Sequence, residues 1–120
     1  DFINGGGGAD TLFGGSGLDT FVFNSVWETP AGPANRDTIA DFDNTDIVNL
    51  ANIDANGALA GNGTFAWLAT AAFSGVAGQL RFAVFGLNAI VEGDIDGDGV
   101  ADMQILFQNY TALNAGDFIL

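Results

Sequence analysis

The chain has 120 residues, 48% of them apolar and eleven of them phenylalanine, which is enough for one domain with a core of its own. Its charge is lopsided: fifteen acids, thirteen of them aspartate, face only Arg36 and Arg81, for a net charge of −13 with no lysine, histidine or cysteine. This balance repels nucleic acid and anionic membranes, leaves no disulfide or thiolate metal site, and favours hard cations, whose ligands are carboxylate and carbonyl oxygens.

The chain opens DFINGGGGADTLFGGSGLDTFV, and this stretch has a nine-residue rhythm. GGGGADTLF (5–13) and GGSGLDTFV (14–22) both read G-G-x-G-x-D-x-U-x, with U a large apolar residue, and DFIN (1–4) is the tail of a preceding copy. Six residues of each copy form a turn whose glycines tolerate positive φ. The next three form a short strand that sends Ile3, Leu12 or Phe21 into the core. Two copies make one coil, so aspartates eighteen apart stack on one side. Asp1 and Asp19 are then expected to share a cation, with Asp10 in the opposite row. Carbonyls from the turns Gly5, Gly6, Gly7, Gly8 and Gly14, Gly15, Ser16, Gly17 would fill the remaining positions. The motif is similar to the calcium-binding nonapeptide of RTX proteins, which build parallel β-rolls.

Beyond Asp19 the register weakens but continues. Glu28 and Asp37 fall on it, Asp37 followed by Ile39 in the apolar position. The expected pairs are Glu28 with Asp10 and Asp37 with Asp19, closing the roll. ETPAGPAN (28–35) holds both prolines and reads as a loop. The domain boundary is placed here: 1–42 as the end of a calcium-binding roll with its capping loop, 43–120 as an antiparallel β-sandwich.

Six strand-like segments follow at 37–42, 46–50, 64–69, 79–85, 89–93 and 101–107, with clear alternation in Leu80, Phe82, Val84 and in Met103, Ile105, Phe107. Alanine-dense short helical turns are expected near 51–60 and 68–73. The fold class is all-β, a two-sheet roll continuing into a sandwich.

Between the last two strands lies GDIDGDGVAD (93–102). Asp94, Asp96, Asp98 and Asp102, with Gly99, match the first nine positions of an EF-hand-like loop. Position twelve would be Ile105, not the bidentate glutamate such loops use, and no helix pattern flanks it. A second calcium loop and a β-hairpin turn made by Asp-Gly dipeptides both remain open, with the missing glutamate favouring the turn. The chain ends Asp117, Phe118, Ile119, Leu120, an acid followed by three apolar residues and no polar tail.

The order of GGxGxD repeats, DTIADF, DIVNLANIDAN, FSGVAGQLRF, GDIDGDGVADMQI and a terminal GDFIL resembles the C-terminal domain of serralysin-type metalloproteases over essentially the whole chain. The resemblance implies binding of two or more calcium ions and export from a bacterium to the extracellular medium. It implies recognition of the C-terminal residues by a type I secretion transporter, and a zinc protease domain upstream. That zinc chemistry does not carry over to this chain, because H-E-x-x-H needs histidine. Starting at Asp1 rather than methionine, and with no basic-then-apolar leader or membrane-spanning run, the chain reads as a noncatalytic piece of a longer secreted protein. A calcium-stiffened adhesin segment, or a module of another type I secreted enzyme, is the competing reading. A carboxylate-pair enzyme is disfavoured because the acids follow the nine-residue register.

Overall fold

The computed structural model describes residues 1–57 and 63–120. The described residues hold ten strands, two short 3₁₀ turns and no α-helix. Strands β1 (Phe2–Ile3), β3 (Thr20–Val22), β5 (Ile47–Asn49) and β10 (Phe118–Ile119) form one sheet in that order, parallel throughout. The second sheet runs β2 (Thr11–Leu12), β4 (Asp37–Ile39), β9 (Met103–Phe107), β8 (Asn88–Asp94), β7 (Gln79–Phe85) and β6 (Ala66–Trp67). Its β2–β4–β9 part is parallel, and the β9–β8–β7 part is an antiparallel meander. The chain alternates between the two sheets over residues 2–49, as a roll must.

The apolar positions of the repeat are stacked by the strand registers. Ile3, Phe21, Val48 and Phe118 align across one sheet, and Leu12, Ile39 and Phe107 across the other. Period-two alternation sends these side chains inward, where Phe21, Val48, Ile39 and Phe107 are fully buried. The sheets meet through aromatic rings: Phe118 lies 5.0 Å from Trp67 and 6.3 Å from Phe107 between centroids. The meander adds Leu80, Val91, Met103 and Ile105, all with no exposure.

Two expectations change. The parallel sheet does not stop near residue 42 but continues through β5 and recruits the chain end as β10, because Val48 and Phe118 supply the inward apolar residues that extend the ladder. The alanine-rich stretch 68–73 forms only a reverse turn, closed by Ala71 N–H to Leu68 O at 3.1 Å, with Ala69 at φ 53°. That conformation belongs to turns rather than helices. Residues 51–53 make turns, and 58–62 of the other expected helical stretch lie outside the described residues.

The proline-containing segment is a loop, as its composition demands. It is anchored by Thr29, whose hydroxyl accepts from Asp37 N and donates to Gln104 O. On the outer face of the second sheet, Arg81 Nη1 donates to Glu92 Oε1 at 2.6 Å, Gln104 Nε2 to Glu92 Oε2 at 2.8 Å, and Arg36 Nη1 to Gln104 Oε1 at 3.1 Å. Arg36 thus ties this loop to the meander, and Arg81 braces β7 against β8. No helix among the described residues is long and apolar enough to cross a membrane.

Candidate metal centre

The strand pairing sets two rows of turns on opposite edges of the roll. Turn 4–10, between β1 and β2, lies beside segment 23–36. Turn 13–19, between β2 and β3, lies beside segment 40–46. Glycines shape both turns: Gly6 (φ 77°), Gly8 (107°), Gly15 (90°) and Gly17 (101°) occupy backbone that an L side chain resists. Gly5 and Gly14 serve differently. A Cβ at Gly5 would stand 2.8 Å from Asp10 Oδ2, and one at Gly14 would stand 2.6 Å from Asp19 Oδ2. Only glycine leaves room for these carboxylates to lie against the turn.

The carboxylates form a ladder across the coils. Asp37 Oδ1 accepts from Asp10 N at 2.8 Å and Asp46 Oδ1 from Asp19 N at 3.0 Å, while Asp19 Oδ1 faces the terminal ammonium of Asp1 at 2.6 Å. In each case one oxygen is fixed on the neighbouring coil. The second oxygen separates the members. Among the described residues, Asp10 Oδ2, Asp19 Oδ2 and Asp37 Oδ2 are buried with no hydrogen-bond partner, whereas Asp46 Oδ2 accepts from Asp43 N at 3.0 Å. A buried carboxylate oxygen without a donor is costly. Here those of Asp10 and Asp19 lie against Gly5 and Gly14, in turns that also offer backbone carbonyls. An all-oxygen, anionic donor set in a glycine cradle fits a hard divalent cation, and no nitrogen or sulfur ligand is present to favour a softer metal.

Electrostatics agree with this arrangement. Burial pushes the Asp37 carboxyl up to about 6, opposed by the Asp10 N–H bond and reinforced by the charges of Asp10 and Glu28. Burial likewise raises Asp46, against two N–H bonds from Asp43 and Asp19 and with the charges of those two residues. Asp43, exposed and bonded by Thr45 side chain and backbone, is lowered.

The predicted pairs are partly rearranged. Asp1 reaches Asp19 through its terminal ammonium, a contact that does not bring the two carboxylates together. Asp37, however, pairs with Asp10 rather than Asp19, and Asp19 pairs forward with Asp46, both at an offset of 27. The cause is the proline loop, which lengthens that coil by one repeat without adding a strand. Glu28 sits in this added length. Its Oε2 accepts from Asn4 Nδ2 and Asn24 N, both at 3.0 Å, so the expected Glu28–Asp10 pair is replaced by Asp37–Asp10. Asp46, not singled out from the sequence, lies nine beyond Asp37, so extending the register one step further would have found it. Asp41, whose carboxylate accepts from Gly14 N and Gly15 N at 2.8 Å each, had no such signal.

The second acidic cluster is local. Residues 95–102 join β8 to β9 as a hairpin loop, and carboxylate oxygens of Asp94, Asp96, Asp98 and Asp102 all lie within 4.8 Å of one another. Asp94, fully buried, accepts from Gly97 N at 2.8 Å and Gly99 N at 2.9 Å, and Asp102 Oδ2 accepts from Ile95 N at 2.8 Å. Asp98 N–H donation lowers the Asp96 carboxyl, but desolvation and the facing Asp94 and Asp98 side chains outweigh it and raise the group. The segment is thus a hairpin turn that also gathers four carboxylates. At the chain end, Asp117 is buried and closes a capping box with Asn114, while Phe118 and Ile119 pair with Val48 and Asn49.

A family model described as peptidase M10 serralysin C terminal matches residues 2–120. Among solved structures, the solution structure of the AlgE6R2 subunit from the Azotobacter vinelandii mannuronan C5-epimerase is similar, with 27% identity and a TM-score of 0.65, covering 99% of this chain and 70% of that one. No curated protein sequence matches the chain.

Proposed function

The chain belongs to the peptidase M10 serralysin C-terminal family, and from that premise we propose that it is a noncatalytic calcium-binding module that folds on extracellular calcium and directs type I secretion of its parent protein. The observation that carries the calcium reading is the trio of buried, partnerless oxygens on Asp10, Asp19 and Asp37, the first two set against Gly5 and Gly14. Asp10 and Asp37 would hold one ion with carbonyls of turn 5–8. Asp1 and Asp19 would hold another with carbonyls of turn 14–17. The loop of Asp94, Asp96, Asp98 and Asp102 is a further candidate, supported by the convergence of its four carboxylates.

Linkage gives the mechanism. Where calcium is scarce, clustered aspartates repel, and glycine's backbone entropy keeps the roll open. Extracellular sites typically bind calcium with dissociation constants of ~0.1–1 mM. Ion binding to the folded roll alone then draws the chain to the folded state. Asp117 to Leu120 would be read by the transporter before folding and become β10 afterwards. The parent is most simply a serralysin-type zinc endopeptidase whose catalytic domain lies upstream. The second reading, another secreted enzyme or an adhesin as parent, gains support from the similarity to a module of an epimerase.

Two measurements test this. Native mass spectrometry of the chain in calcium should count two or more ions; none would overturn the calcium role. In a host carrying a type I transporter, deletion of Phe118 to Leu120 should abolish export, and undiminished export would overturn the signal role.

A further inference from the structure

We propose that Asp41 is a positioning residue for the metal turn 13–19, acting through the backbone of Gly14 and Gly15; this rests on the calcium reading above. Asp41 follows β4 and is half-buried. Its Oδ1 accepts from Gly14 N and its Oδ2 from Gly15 N, each at 2.8 Å. Two successive amides aimed at one carboxylate form an anion-accepting concavity, with charge-assisted hydrogen bonds that outweigh neutral ones. Because each peptide unit is planar, fixing the Gly14 and Gly15 N–H groups also fixes the carbonyls of Phe13 and Gly14.

Gly14 is the residue against which the free oxygen of Asp19 lies, at the 2.6 Å that a Cβ there would leave. Asp41 therefore holds the wall of the Asp19 site while both its own oxygens are occupied by protein donors. Among the described residues the other repeat turn has no such holder: at the corresponding place Gly6 N donates to Asn4 Oδ1, a neutral side chain within the same turn. Asp41 makes turn 13–19 the better preorganised of the two.

The test uses the 120-residue chain, calcium as the probe, and the variants Asp41→Ala, Asp41→Asn and Asp43→Ala. Asp43 bonds only to Thr45 through its side chain and serves as the neighbouring-charge control. Asp41→Ala should raise one calcium dissociation constant about tenfold, the size seen when a group supporting a ligand is lost. The number of bound ions should stay the same, and Gly14 and Gly15 amide exchange in calcium should quicken while the β9 amides keep their protection. Asp41→Asn, which retains one acceptor oxygen, should fall between wild type and alanine in both readouts. Asp43→Ala should match wild type. Unchanged affinity and exchange in Asp41→Ala would overturn the positioning role alone. Loss of an ion from the count would overturn it in favour of Asp41 as a ligand. A wild-type chain that binds no calcium would overturn the functional reading and the positioning role with it.

Discussion

The repeat turns at 4–19 and the hairpin loop at 95–102 are built from the same two residues, glycine and aspartate, yet they solve different problems. In the loop, one segment brings its four carboxylates together, and Asp94 and Asp102 satisfy the loop's own amides. In the roll, Asp37 and Asp46 each give one oxygen to a coil 27 residues earlier, and one oxygen each of Asp10, Asp19 and Asp37 stays buried and free. The loop therefore needs only local geometry, whereas the roll's sites exist only once coils have stacked. Aspartate density alone does not mark the difference; the fate of each carboxylate's second oxygen does.

The largest expected break in that comparison is Asp19→Ala. Removing the ligand of a shared site should weaken calcium about a hundredfold, the equivalent of ~3 kcal/mol for a contact to a charged group, while Asp43→Ala should be near neutral. Isothermal titration of both variants checks it, and equal effects would mean that bulk acidity rather than geometry binds the ion. Next comes Gly14→Ala, whose new Cβ would stand 2.6 Å from Asp19 Oδ2 and 2.9 Å from Asp19 Cβ and Cγ. A loss of about tenfold in affinity is expected, set against none for Gly7→Ala, where a Cβ meets nothing within 4 Å and the φ is not in the left-handed range.

A smaller and separable effect is expected at the loop. Asp96→Asn should remove one ion from the native mass count without changing the calcium dependence of roll folding, and an unchanged count would return the loop to a plain turn. The mildest lever is pH. The Asp37 carboxyl lies at about 6 in the folded roll, so without calcium the folded state holds a proton that the unfolded chain has released above the ordinary carboxylate range. Metal-free stability should thus fall as pH rises through that window. Calcium needs the carboxylate form, so its affinity should move the other way and weaken as pH drops below about 6. Titrations at pH 7.5 and 5 in Asp37→Asn should lose most of that pH dependence.

The roll was legible because its signal is periodic: Ile3, Leu12, Phe21 and Ile39 stand where the repeat puts them, and glycine has few other reasons to recur at that spacing. The meander was legible from alternation in 79–85 and 103–107. What the residues conceal is non-local. The proline loop keeps Glu28 on the nine-residue register while adding no strand, so the register gives the wrong partner for Asp10 and for Asp37. The pairing of Phe118 with Val48 joins segments far apart in the chain, and no local pattern announces it. Asp41 is hidden for the same reason, since its role depends on amides 26 and 27 residues earlier.

The central claim is that calcium closes the roll while the meander stands without it, on a core of Leu80, Phe82, Val91, Met103, Ile105 and Phe107. Residue-resolved hydrogen exchange with and without calcium tests this most directly. Amides of 2–22 and 37–49 should exchange freely in chelator and become protected when calcium is added, reversibly, while those of 79–94 and 103–107 should stay protected in both conditions. Equal protection of the two regions with and without the ion would contradict the account.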